Sequence, residues 1–244
     1  MIELVDMQDL CDIVSVKVLR AGEKDMSQMA SKGNCYLCGR LISKSAFKKH
    51  ILNAHFHEDE GQDCIVLKVE DTDSKMYWLY LDISATSTLK TLDTFLRKIW
   101  LECCGHMSAF YDPCYGEISM SRKIADYPVG FSFLYEYDFG DTTQLKITIV
   151  AHAKRPKQRT AIRLLGRNEV YHFACQNCGK YADDICVECL WEDRNPFLCE
   201  ACVEDHEHGE EPLLPVVNSP RMGVCGYCGE LDEFDFNPEK FVKV

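Results

Sequence analysis

The sequence predicts an α+β protein, a mixed sheet with packed helices flanked by small zinc-stabilised modules. Three observations point there. Strand-like runs pair up at 64–70 with 76–84 and at 131–138 with 143–151; an amphipathic stretch lies between the pairs at 87–102; and ten of the fifteen cysteines fall into five Cys-x-x-Cys pairs near the two ends.

Residues 1–30 read as a short leader with apolar positions at Ile13, Val14, Val16, Val18 and Leu19. Residues 31–57 read as a two-Cys two-His finger, Cys35-x2-Cys38-x11-His50-x4-His55. Two thiolates on one knuckle and two imidazoles about one helical turn apart meet at a tetrahedral ion. Ile42 and Phe47 supply its small core, and Ser43 is placed to cap a helix from Lys44 to about His55. Arg40, Lys44, Lys48 and Lys49 make the finger locally basic, with no acid between 31 and 57, which suits phosphate contact. The finger serves equally well as a structural or protein-binding unit, because one finger spans only about three base pairs.

An acidic link (57–63) leads into the central domain, 62–160. CIVLKVE (64–70) and MYWLYLDIS (76–84) form two strands joined by the polar turn DTDSK. In 87–102, Leu89, Leu92, Leu96 and Ile99 recur at helical spacing, with Ser87 or Thr88 as the cap. FSFLYEYD (131–138) and TQLKITIVA (143–151) form a hairpin whose FGDT turn is expected to use Gly140 at positive φ. The central domain is expected to be free of metal. Cys103, Cys104, His106 and Cys114 form a cluster able to bind metal or to react as thiols, although free cysteines are commonly core residues. Cys11 and Cys64 are most simply core positions.

From 171 to 244 the chain is acidic and cysteine-rich. Cys175/Cys178 and Cys186/Cys189 read as one four-cysteine ribbon, and Cys199/Cys202 with Cys225/Cys228 as a second. An interleaved arrangement is also open, with the first and third pairs on one ion and the second pair meeting His206 and His208. A further alternative replaces Cys228 by one of those histidines. With the finger, the expected content is about three zinc ions, each with four protein ligands. Such sites have no open coordination position, and they substitute for a core in a segment with few large apolar side chains. The apolar run PLLPVVNSPRMG (212–223) is expected to lie extended against the same chain.

The run Tyr77-Trp78-Leu79-Tyr80-Leu81-Asp82-Ile83, then Thr88-Leu89 and the helix to Trp100, then His106 and Phe110, then Phe133-Leu134-Tyr135-Glu136-Tyr137-Asp138-Phe139-Gly140-Asp141 resembles the Ri-plasmid pRiA-type Orf-three-like domain family over residues 62–155. The resemblance implies an α+β fold and a protein of plasmid or mobile-element type in prokaryotes. The chain departs from the family's basic Trp-Arg-Arg strand at Trp78-Leu79-Tyr80, and from its aromatic after the turn at Thr142-Thr143.

Composition narrows the function. Hydrophobic residues at 46% and charged residues at 27% describe a folded protein. The net charge of −12 confines any nucleic-acid contact to a local patch. An odd cysteine count without a signal-like start argues against a disulfide framework and for a cytoplasmic protein, and no apolar run reaches membrane-span length. The expected function is therefore a non-enzymatic, zinc-binding adaptor or regulator with a protein partner and weak nucleic-acid contact through the finger. Two alternatives remain: an enzyme whose site gathers His106, Asp138 and Asp141, and a defence or toxin–antitoxin component of a mobile element. The DFGD string is not a kinase magnesium loop, because no glycine-rich loop, Val-Ala-Ile-Lys strand or His-Arg-Asp loop precedes it.

Overall fold

The computed structural model describes residues 31–56, 60–229 and 234–241; the leader 1–30, with Cys11, lies outside them. In chain order the elements are β1 (Lys32–Cys35), β2 (Leu41–Ser43), α1 (Lys44–His55), β3 (Gln62–Asp71), β4 (Trp78–Ser84), α2 (Leu89–Leu96, extended by a π turn over Arg97–Leu101), β5 (Ser108–Tyr111), β6 (Glu117–Ile118), β7 (Ser132–Tyr137), β8 (Thr143–Arg155), β9 (Ile162–Asn168), β10 (Asp184–Cys186), α3 (Val187–Trp191), β11 (Phe197–Leu198), α4 (Glu200–Val203) and β12 (Leu213–Pro215).

Nine strands form one sheet in the order β2-β1-β9-β4-β3-β8-β7-β5-β6, and β11-β10-β12 form a small second sheet. The architecture is α+β, as the strand and helix patterns indicate. Its sheet is antiparallel in every pair rather than mixed, because each neighbour is reached by a hairpin or an antiparallel return.

The heart of the sheet is covered on both faces. Alternation in β3 and β4 sends Ile65, Leu67, Val69, Leu79, Leu81 and Ile83 to one side. There they meet Leu89, Leu92, Leu96, Ile99 and Trp100 of α2 and its π turn. Val66, Trp78 and Tyr80 point to the other side, where Phe47 and Ile51 of α1 cover them. This two-sided burial explains why β4 is buried at every position and reads as an apolar run rather than an alternating one.

Finger and central sheet are therefore continuous. β1 pairs with β9 from Gly33↔Asn168 to Cys35↔Gly166, so the sheet runs across the boundaries at 57–62 and 160 read from composition. Gly166 provides the seat for α1: a Cβ there would lie 2.2 Å from the Phe47 ring and 2.5 Å from the Asn34 carbonyl. The one acid in β4, Asp82, is fully buried and is matched by Arg155 and by Arg163, whose Nε lies 2.8 Å away. Asp93 of α2, also fully buried, accepts from Tyr135 Oη at 2.9 Å and Ser108 Oγ at 2.6 Å and pairs with Lys90 and Arg97.

At the DFGD hairpin it is Asp138, not Gly140, that takes the left-handed conformation, at φ 66°. Its Oδ1 accepts from the Gly140 amide at 3.1 Å, the local side-chain bond that lets aspartate occupy this region.

Candidate metal centres

All fourteen described cysteines are unpaired thiols. Eleven of them join five histidines in four clusters, and within each cluster the ligand atoms lie within 4.8 Å of one another. A tetrahedral ion with ~2.3 Å bonds to sulfur and ~2.0 Å to nitrogen has ligand–ligand edges of roughly 3.3–3.8 Å.

The finger cluster joins Cys35, Cys38, His50 and His55. Cys35 Sγ lies 3.4 Å from His55 Nε2, and Cys38 Sγ lies 3.4 Å from His50 Nε2. The β1–β2 knuckle presents the thiols, with Gly39 at φ 75° closing the turn. Ser43 stands at the helix N-cap, but its hydroxyl makes no cap bond. Burial, with a contribution from Arg40, lowers the His50 pKa and so favours the neutral imidazole that binds metal.

In the C-terminal module the structure gathers the interleaved sets. Cys175, Cys178, Cys199 and Cys202 converge, and Cys186, Cys189, His206 and His208 converge. The sequential four-cysteine pairing is corrected, for a local reason. β11, immediately before Cys199, is tied to the first knuckle: Gln176 N donates to Phe197 O at 2.8 Å, and the Phe173 and Phe197 rings stack at 4.1 Å. Cys178 Sγ thereby comes within 3.5 Å of Cys199 Sγ. The second pair, carried by β10 and α3, meets the histidines instead, with Cys186 Sγ 3.4 Å from His208 Nδ1 and Cys189 Sγ 3.5 Å from His206 Nε2. The far nitrogen of His208 faces the Arg194 guanidinium at 3.3 Å and the Glu192 carboxylate at 3.7 Å. Burial raises the pKa of the Cys175 thiol, but bonds from the Cys199, Asn177 and Cys178 amides outweigh it and bring the value down to about 6. Burial, with the neighbouring His208, lowers the pKa of His206.

The fourth cluster is Cys103, Cys104, His106 and Cys225, so neither the expectation of a metal-free central domain nor the count of three sites matches the clusters found. Cys225 does not join Cys199 and Cys202, because the preceding segment runs back onto the large sheet. Asn218 Oδ1 accepts from Asn168 at 2.7 Å, Ser219 Oγ donates to Trp100 O at 2.6 Å, and the fully buried Arg221 pairs with Asp138. Cys228 is exposed, and its Sγ contacts the Gly226 carbonyl at 3.3 Å. It belongs to none of the clusters. Cys114 is exposed and outside them too, while Cys64 is buried in the sheet with its thiol pushed up to about 12 by burial.

Of the three residues considered for catalysis, two meet. His106 Nδ1 lies 3.4 Å from Asp138 Oδ1. Asp141 is exposed and contributes its backbone carbonyl to Arg221 at 2.9 Å. His106 turns its other nitrogen to thiols, so the pair belongs to the fourth cluster. The basic residues of the finger divide as well: Lys44 pairs with Glu70, whereas Arg40, Lys48 and Lys49 are exposed.

The sequence grouped three of these ligands, Cys103, Cys104 and His106, but set Cys114 beside them; the fourth ligand is Cys225, more than a hundred residues further on and beyond the reach of local spacing. No family model matches the sequence, and no curated protein is significantly similar to it. The chain is similar to a crystal structure of a protein of unknown function from Methanosarcina mazei Go1, at 18% identity over 43% of this chain and 68% of that one, with a TM-score of 0.38. No helix among the described residues is long and apolar enough to cross a membrane.

Proposed function

We propose that this protein is a zinc-stapled adaptor, in which closed metal sites hold a rigid surface for a protein partner. The observation that carries this is the composition of the clusters: sixteen ligands, eleven of them thiol sulfurs, gathered in fours from the protein itself. Soft thiolate and imidazole donors select zinc among the common divalent ions, and four protein ligands leave no position for substrate. In the finger, Cys35, Cys38, His50 and His55 hold the ion that fixes α1 over the sheet. In the C-terminal module, two ions take the place of the apolar mass that the segment lacks.

The partner is read as a protein because the C-terminal module presents Trp191 at 75% and Tyr181 at 70% exposure on segments braced by ligands. Rigid, exposed aromatics are typical anchors of protein interfaces. The acids around them disfavour phosphate. The resemblance of residues 62–155 to the plasmid family supports an accessory role in a mobile element.

The test is metal analysis combined with site-specific photocrosslinking in cells from position 191. Zinc bound mainly to sulfur and a protein adduct that disappears on chelation are expected. Metal-free folded protein, or adducts only to nucleic acid, would refute the adaptor.

A further inference from the structure

The fourth cluster differs from the others in construction. Its ligands are two adjacent cysteines and a histidine just beyond α2, plus one cysteine from the far end of the chain. Cys104 Sγ lies 3.1 Å from His106 Nε2 and 3.4 Å from Cys225 Sγ; His106 Nε2 lies 3.2 Å from Cys225 Sγ; and Cys103 Sγ lies 3.6 Å from Cys104 Sγ. These are tetrahedral-edge distances to within a few tenths of an ångström. Cys103 leans against the core, but Cys104 and Cys225 are both exposed, so apolar burial does not account for their convergence on His106.

The surroundings are built for ligation. The Asp138 carboxylate faces His106 Nδ1 at 3.4 Å, an arrangement suited to orienting the imidazole so that Nε2 is turned toward the sulfurs. Asp138 is itself held by Arg221, which is fully buried, spans the hairpin to the Asp141 carbonyl at 2.9 Å and Thr143 Oγ1 at 3.1 Å, and lies over the Tyr137 ring. Gly105, at φ 78°, turns the chain so that His106 folds back beside Cys104. Cys225 sits at φ 51°, a left-handed conformation disfavoured for a non-glycine residue and one that ligation would offset.

We propose that Cys103, Cys104, His106 and Cys225 hold a fourth zinc ion, a solvent-accessible clasp that fastens the segment after Arg221 to the end of α2, with Asp138 as its positioning residue. The proposal rests on the protein being a zinc protein and extends that reading to a site the Cys-x-x-Cys pattern does not contain. Each of the other three sets has at least one buried thiol, whereas this one has none and presents two exposed thiols, so its ion exchanges first.

The test reconstitutes the reduced full chain with zinc, desalts it and counts metal by mass spectrometry. The wild type is expected to hold four ions, Cys225→Ser and Cys104→Ser three each, and Cys228→Ser four. With a chromophoric chelator, one equivalent should leave the wild type in a fast phase that is missing from Cys225→Ser. Asp138→Asn should speed release of that equivalent 10-fold or more while the other three keep their rates. A wild type holding three ions, or a Cys225→Ser variant holding as many as the wild type, overturns the clasp and leaves the other three sites standing. A protein that holds no zinc overturns the adaptor as well.

Discussion

Replacing Phe47 by alanine tests whether the finger is an appendage or part of the core. The ring is fully buried, packs edge-on to Trp78 at 4.9 Å and stacks on Tyr80 at 5.2 Å, with Gly166 beneath it. Truncating a buried phenylalanine costs about 3–5 kcal/mol, and the two aromatic contacts keep this site clear of the bottom of that range, at about 4 kcal/mol. With a urea slope of roughly 2.5 kcal/mol/M, the unfolding midpoint falls by about 1.5 M. Urea titration followed by tryptophan fluorescence reads this directly. Trp78 and Trp100 are buried and report on the two faces of the sheet, while the exposed Trp191 contributes little change. The expected result is one transition, shifted as a whole, with zinc release from the finger coincident with loss of the sheet. An unmoved sheet transition, with only the finger ion lost earlier, would refute the continuity of the two units.

Other outcomes follow from the same contacts. Gly166→Ala brings a Cβ against the Phe47 ring and the Asn34 carbonyl and should cost about 1–3 kcal/mol, measured by the same titration. Asp93→Asn should cost on the order of 3 kcal/mol at neutral pH, because it breaks a buried ion-paired network. Burial alone would raise the pKa of Asp93, but Lys90, Ser108, Tyr135 and Arg97 hold it below the ordinary aspartate value. Its stabilisation is therefore present above the unfolded-state pKa and is lost as pH falls through the folded one, so the variant should show a shallower acid limb in a pH series of denaturation midpoints. Lys48→Glu with Lys49→Glu should abolish any salt-dependent nucleic-acid retention in filter binding at low ionic strength. Lys44→Ala, by contrast, should act through its lost partner Glu70, lowering stability by less than about 1 kcal/mol.

Much of this was legible from local pattern. The 3.6-residue spacing of Leu89, Leu92 and Leu96 marks a helix, and the ligand spacing of the finger is short enough to close on one ion without knowledge of the fold. The pairing of the C-terminal ligands was not legible, because each thiol pair fits either partner equally well. Strand β11 decides it by hydrogen-bonding beside the Cys175 knuckle. For His106 the local partners Cys103 and Cys104 were legible, but not Cys225, which lies 119 residues further on and is delivered there by the buried Arg221 anchor. The apolar run of β4 marked a strand, but not that both of its faces are buried or that the finger helix supplies the second cover.

The interleaved C-terminal ligands have a consequence for synthesis. A chain emerging from the ribosome presents Cys175 and Cys178 first, yet their partners arrive only with Cys199 and Cys202, and Cys186 and Cys189 must wait for His206 and His208. The first ion cannot be captured completely until Cys202 has cleared the exit tunnel, nor the second until His208 has, so the two knots tie within a few residues of each other. During that interval the nascent segment carries several unprotected thiols, so its yield in a cell should depend on how much zinc, and how little oxidant, the growing chain meets.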